Sequence, residues 1–460
     1  MQINPELKTQ DLKDKIERLW TLSGQKIKSM ASHLEGVSGS PVVTVNGTYE
    51  PRSWTDWTQG FQYGSELLQF DATKDAHFLN LGIDHIKAHM PPHISHFGVH
   101  DHGFNNLSTY GNWLRLLNEG KVEQNAGAKE FCALALKLSA SVQAQRWTSL
   151  PEGGFIYSFN GPHSLFVDTM RTIRILVVGH MLGHYSSGEN DSKINLLKRA
   201  YQHALASAKY SIYYGEGRDT YDVWGRTAHE AIFNTNDGNF RSPSTQQGYS
   251  GFSTWTRGLS WAMLGFAEQL EFLQSQEHLP ELDELGGKAY IEEVFLKAAR
   301  ATCDFYLENS AIDGIPYWDT GAPGLFHLLD WRNKKSDPFN DYEPIDSSAA
   351  AIGAQGLLRL GNYLKVRNKA DADTYWSAGL TIADSLFDEP YLSTNENHQG
   401  LILHAIYHRP NGWDHIPKGS TIPNGEACMW GDYHTRELAL YLGEVIKGDS
   451  YYTFFKGITL

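Results

Sequence analysis

A mainly α-helical chain, closed into a ring of six helical hairpins and forming one domain over residues 1–460, is the fold class that the sequence predicts. Three observations predict it. The helical period dominates wherever any period is visible. About a dozen apolar stretches of helical length follow one another. The connections between them are long and rich in Gly, Pro, Asn and aromatic residues, as loops gathered at one end of a closed ring would be.

Taken in order, Leu12, Ile16, Leu19, Ile27 and Met30 keep spacings compatible with one helix face. Further helical stretches are predicted at 57–70, 78–90, 128–145, 169–185, 193–214, 255–273, 289–307, 347–364, 370–386 and 432–446. Trp57-Thr58-Gln59-Gly60 and Trp255-Thr256-Arg257-Gly258 both open apolar helices, an internal echo that supports stacking of like units. No alternation is sustained enough for a sheet, although 41–49 and 400–408 could be hairpin pieces or helix starts. The connections 150–164 and 226–253 are too long for simple turns, and loops of that length are usually functional.

Composition narrows the partners. The formal charge is −14, so no nucleic acid is expected, because phosphate binding needs a basic surface. Aromatic residues make up 12 % of the chain, which suits sugar rings as well as cores. Cys132, Cys303 and Cys428 form no CxxC pair and are expected as buried free thiols. The first twenty residues hold no apolar core of secretory length, and no later run approaches ~20 apolar residues. A cytoplasmic chain with no membrane contact is the expectation, in which Asn46-Gly47-Thr48 carries no glycan. Oligomeric state is not encoded.

Seven histidines lie between His77 and His102. His85 and His89 are spaced for a shared zinc ion, but the glutamate of a HExxH pair is missing. Neutral, hydrogen-bonded loop imidazoles are the expectation, with no metal and no cofactor. Within this cluster Asp101, in His100-Asp101-His102-Gly103-Phe104, caps the next helix or works as a carboxylate. Asp168 follows Leu165, Phe166 and Val167 at the start of a very apolar helix. There it is either an N-cap or a carboxyl whose pKa is raised by burial.

These segments together resemble the unsaturated glucuronyl hydrolases, of the glycoside hydrolase family 88 type. The resemblance rests on six motifs in the family's order: 56–64 (DWTQGFQYG), 100–104 (HDHGF), 164–170 (SLFVDTM), 246–266, 346–360 and 429–438. It implies an (α/α)6 barrel and a substrate whose non-reducing uronic acid carries a C4=C5 double bond. It also implies hydration of that vinyl ether instead of displacement at the anomeric carbon. On this resemblance Asp168 is the general acid/base and Asp101 the second essential carboxylate. Trp57 and Trp261 are walls for the sugar ring, Arg257 the partner of the substrate carboxylate, and His100, His229 and Gln247 polar contacts at the reactive end. Carbon protonation demands an acid still protonated near neutral pH, and the cation developing at C5 wants a negative charge beside it.

The chain departs from the family pattern at Gln246, Leu259, Thr172 and Phe159. These changes bear on sugar preference and leave the acid/base pair untouched. The loop 408–427, with Lys418, is the candidate reader of the second sugar. Three alternatives remain at this point. One is an unsaturated rhamnogalacturonyl hydrolase. Another is a sugar epimerase or isomerase centred on His100, His102 and His229, and the third is a barrel that only binds oligosaccharides.

Overall fold

The structure is a computed structural model that describes residues 1–52 and 57–459; Asp56, the first residue of one motif, lies outside the described residues. Twelve helical segments make the ring: α1 (Lys13–Leu34), α2 (Gln59–Thr73), α3 (Ala76–His89), α4 (102–118), α5 (Ala126–Gln145), α6 (169–181), α7 (Leu196–Tyr210), α8 (Thr256–Ser275), α9 (Gly287–Glu308), α10 (Ser347–Val366), α11 (Ala372–Leu386) and α12 (Met429–Lys447). The even-numbered helices pack in the cyclic order α2, α4, α6, α8, α10, α12 and back to α2. Each odd-numbered helix lies outside its successor or neighbour: α1 on α2 and α12, α3 on α2, α5 on α4 and α6, α7 on α6, α9 on α8 and α10, α11 on α10. The predicted ring of six hairpins is therefore present, and the echo at Trp57 and Trp255 marks the starts of two inner helices.

The two rings differ in composition because they differ in surroundings. Inner α8 and α10 are buried nearly all round, whereas outer α1 and α7 bury one stripe. Inner helices approach closely at glycines. A Cβ on Gly103 would lie 2.0 Å from the Thr172 carbonyl oxygen, one on Gly265 2.7 Å from that of Met170, and one on Gly356 2.9 Å from the Leu264 nitrogen. Below the loop-bearing end the axis is filled by charge, not left open. Arg171 on α6 pairs with Glu268 on α8 and Glu437 on α12, and Arg359 on α10 pairs with Glu271. All of these side chains are buried, and such a network holds only if every member is paired.

The sequence left α4 unmarked. Its centre is a π-helical turn, Leu107–Gly111, between the helices His102–Asn106 and Asn112–Asn118. Small polar residues such as Asn105, Asn106, Ser108 and Thr109 are buried there, so no apolar stripe could announce it. Sheet is also more developed than predicted. The stretch 41–49 forms a hairpin of β1 (Ser40–Val45) and β2 (Thr48–Arg52), and β3 (Trp147–Leu150) pairs with β4 (Gly153–Ile156). A three-stranded antiparallel sheet joins β5 (Ser164–Phe166), β6 (Glu230–Phe233) and β7 (Phe240–Ser244). The stretch 400–408 makes isolated bridges only, Leu392 to Ile402 and Leu403 to Ala427. No helix among the described residues is long and apolar enough to cross a membrane. Cys132, Cys303 and Cys428 are buried and unbridged.

Candidate active site

All six inner helices begin at the same end of the ring, and a cavity opens among the starts of α2, α4, α6 and α8. Trp57 stands before α2, Asp101 before α4, Asp168 before α6, and Arg257 in the first turn of α8. Neither carboxylate caps its helix. Asp101 and Asp168 both occupy the N-cap position with no side-chain bond to the backbone below. The capping alternative for each is thereby removed, and both carboxyls are left for the cavity that they line.

A strand-to-helix turn holds Asp168. β5 runs into it, and the Val167 amide donates to the His229 carbonyl at 2.9 Å, fixing the turn to β6. His100 Nε2 donates to Asp168 Oδ1 at 3.2 Å and stands 3.9 Å from Asp101 Oδ1, so one imidazole faces both carboxyls. His229 approaches the other side of Asp168, with Nε2 3.9 Å from Oδ2. Its Nδ1 accepts from the amides of Gln246 and Gln247, which puts the ring proton on Nε2, toward Asp168. Burial keeps the His229 ring neutral, at about 4.

The two carboxyls are pushed apart electrostatically. Burial raises Asp101; His100 pulls the other way, Asp168 adds to the rise, and the net lies above the ordinary aspartate value. Burial would also raise Asp168, but the hydrogen bond and charge of His100, with His229 and Arg257 behind, hold it below that value. The expectation of a raised Asp168 is thus reversed in the free chain. Burial alone makes a carboxylic acid, whereas a hydrogen-bonding imidazole at 3.2 Å makes a carboxylate.

Arg257 lies in the cavity wall but is committed to protein acceptors. Nη1 donates to Asp346 Oδ2 at 3.1 Å and to the Ile406 carbonyl, while Nη2 donates to Gln247 Oε1 at 2.7 Å and to the Tyr407 carbonyl at 2.7 Å. Its guanidinium also lies over Trp255 and Trp430. This geometry differs from the free fork expected for a substrate carboxylate. Gln247, with its oxygen taken by Arg257, is left with its amide N–H groups to offer. Trp57 stacks on Trp430 at 4.8 Å, and Trp261 packs against Phe104 at 4.7 Å, both lining the cavity.

Sequence reasoning missed Phe104, Phe166, Trp255, Tyr407, His408 and Trp413 as cavity residues. Trp413 and His408 belong to the loop flagged for the second sugar, and their rings meet at 4.6 Å. Lys418 of that loop is exposed and does not line the cavity. Four other histidines between His77 and His102 have protein partners. His85 bonds Glu66, His93 bonds Gln59, and His102 bonds Ser139 and the His96 carbonyl, while His89 stacks on Tyr63.

No family model matches the chain. An unsaturated glucuronyl hydrolase of Bacillus sp. (strain GL1) is 25 % identical over 404 residues, covering 86 % of this chain and 88 % of the relative. An unsaturated chondroitin disaccharide hydrolase of Streptococcus agalactiae serotype III is 23 % identical over 404 residues, 86 % of this chain and 83 % of its own. The crystal structure of unsaturated glucuronyl hydrolase from Streptococcus agalactiae superposes with a TM-score of 0.69 at 20 % identity, over 97 % of this chain and 94 % of that one. The resemblance read from the six motifs therefore extends along most of the chain, which is similar in sequence to unsaturated glucuronyl hydrolases and has their fold, the (α/α)6 barrel.

Proposed function

We propose that this chain is an unsaturated glucuronyl hydrolase, a glycosidase that removes a 4,5-unsaturated uronic acid from the non-reducing end of lyase-generated oligosaccharides. The observation that carries the reading is the pair of buried carboxyls, Asp101 and Asp168, both facing Nε2 of His100 in a cavity walled by Trp57 and Trp261. The names of the relatives point the same way. Support for an anionic sugar comes from the ring itself, since the starts of four inner helices, α2, α4, α6 and α8, line the cavity and favour negative charge there. The substrate carboxylate is met by this field and by the Gln247 amide, with Arg257 fixing both from behind.

In this reading Asp168 delivers a proton to C4 as the π electrons form the C4–H bond. The cation left at C5, shared with the ring oxygen, sits beside carboxylate charge and takes up water. Loss of the water proton to Asp168 gives a hemiketal at C5, which opens. The hemiacetal thus freed at C1 expels the rest of the oligosaccharide as an alcohol. C1 is never attacked, so separation rules for retaining and inverting pairs do not apply. The whole barrel serves as one catalytic domain, and the unbridged cysteines fit a reducing, cytoplasmic setting. The epimerase alternative loses its footing at His102, whose two ring nitrogens are spent on Ser139 and the His96 carbonyl.

The test is a panel of lyase-generated unsaturated disaccharides from glycosaminoglycan and other uronate polymers, followed by loss of the ultraviolet band of the conjugated alkene. Turnover of at least one is expected. A chain that leaves every member of the panel intact, while binding none, is not this enzyme.

A further inference from the structure

One imidazole nitrogen that faces two carboxyls raises the question of where the catalytic proton resides before substrate arrives. We infer that His100 is the proton store of the site, holding on Nε2 the proton that Asp168 passes to C4 and taking it back after water has added. The inference rests on the function proposed above and deepens it.

The geometry supplies the argument. His100 Nε2 lies 3.2 Å from Asp168 Oδ1, within direct transfer distance, and 3.9 Å from Asp101 Oδ1. The ring is held by Phe159, stacked at 6.2 Å and 15°, and by Phe166 edge-on at 5.6 Å, so it has no freedom to turn away. Its Nδ1 is buried and has no hydrogen-bond partner among the described residues. A charged ring therefore satisfies one N–H on Asp168 and strands the other. The ion pair favours the imidazolium while burial of the ring disfavours it, and opposing terms of this kind keep a proton ready to move; the Nδ1–H is stranded on either side of the transfer and does not oppose it. Moving it from Nε2 to Oδ1 leaves a neutral ring and a protonated Asp168, with no change in the proton count of the pair.

The groups that face the ring agree. Asp101 from the start of α4 and Asp168 from the start of α6 raise the His100 pKa against the effect of burial, with Arg146 at the end of α5 opposing, and the net is upward. His203 on α7 and His229 on β6 are both neutral, at about 3 and about 4, so neither competes for the proton. His100 acts through Asp168 and is in that sense a positioning residue for the acid.

The experiment is a histidine-nitrogen NMR titration of the wild type and of Asp168→Asn, with His100 assigned by its absence in His100→Gln, or in His100→Asn should the first fail to fold. In the wild type the ring is expected to hold its proton above the ordinary histidine range, with the midpoint falling by more than one pH unit in Asp168→Asn. Alongside it, the pH profile of kcat/KM for His100→Gln should lose its proton at lower pH. The amide can still donate to Asp168 but cannot store the proton, so the basic limb now belongs to a carboxyl. At pH 7 kcat should fall more than tenfold with KM within threefold. A His100 midpoint near 6.5 in both proteins, or a uniformly slower variant with an unmoved basic limb, would overturn the inference. A wild type inactive on every unsaturated uronide would instead count against the function, and the titration would still decide the proton pair.

Discussion

Gly103, in the middle of the motif that carries Asp101, gives the sharpest prediction. It sits where α4 crosses α6, and a Cβ there would stand 2.0 Å from the Thr172 carbonyl oxygen and 2.6 Å from the Thr172 Cα. The obstacle is backbone in the first turn of a helix, so no rotamer change relieves it. Restoring ordinary contact at about 3.4 Å requires the two helix starts to part by roughly 1.4 Å, a strain typical of overpacking that costs about 1–3 kcal/mol. Asp101 begins one of these helices and Asp168 the other, and His100 spans them. A displacement of about 1 Å in a catalytic constellation commonly costs ~10²-fold in rate. Gly103→Ala should therefore melt several degrees below the wild type and turn over an unsaturated disaccharide about 100-fold more slowly, measured by loss of the alkene band. Gly443→Ala is the control: it lies in α12 with nothing within 4 Å of its Cβ, and it should gain up to ~1 kcal/mol from helix propensity with unchanged turnover. A Gly103→Ala protein that melts with the wild type and keeps its rate within threefold would refute the reasoning, since the close crossing would then not set the carboxylate spacing.

The other predictions follow from the same contacts. Asp168→Asn should fold and bind but lose hydration, because an amide cannot donate the proton to C4, and near-normal turnover would remove the mechanism. Asp101→Asn should cripple the rate as well, with binding retained in a calorimetric titration. Arg257→Ala strips Asp346 of a buried partner and should destabilise by about 3–5 kcal/mol in a denaturant melt. Because its four bonds go to protein, it should weaken the uronate and its methyl ester alike; a loss confined to the acid would mean a direct pair with substrate. Arg257→Lys should recover only part, since an ammonium cannot reach four acceptors. For acid stability the sign follows from Glu437, which burial would raise but Arg171, His434 and Arg174 hold down at about 2. A depressed carboxyl contributes its stability above the unfolded value near 4.5 and loses it as pH falls toward 2. The melting temperature should drop through that window, and much less so in Glu437→Gln, which starts lower.

What could be read from the sequence divides along a physical line. Outer helices announce themselves because one stripe faces water, and α1, α3, α7 and α11 were all found near their predicted bounds. Inner helices rich in aliphatic residues, such as α8 and α10, were found as predominantly apolar stretches of helical length. α4 was not, because a helix buried among its neighbours can fill its contacts with Asn, Ser, Thr and Gly and so show no period. The strands that hold Asp168 were missed for a related reason: β5 has three residues, too few to alternate. Residue types at the site were legible in proportion to how local their duty is. Asp101 stood out as the carboxyl within a histidine cluster and Asp168 as one at an apolar helix start, whereas the partners of Arg257 lie 89 residues away at Asp346 and 149 away at Ile406.

The protonation states of the two carboxyls show where that reasoning stops. From sequence, an apolar helix start argues for a raised Asp168, and burial does push it up. Which carboxyl has the higher pKa in the free chain is decided by one imidazole that stands 3.2 Å from Asp168 and 3.9 Å from Asp101. That difference of less than an ångström favours the ionised form at Asp168 and leaves Asp101 raised. His100 is adjacent to Asp101 in sequence and 68 residues from Asp168, so reading along the chain pairs it with the wrong carboxyl. The pairing that matters is made by the crossing of α4 and α6 at Gly103, where the absence of a side chain brings two helix starts within reach of a single ring.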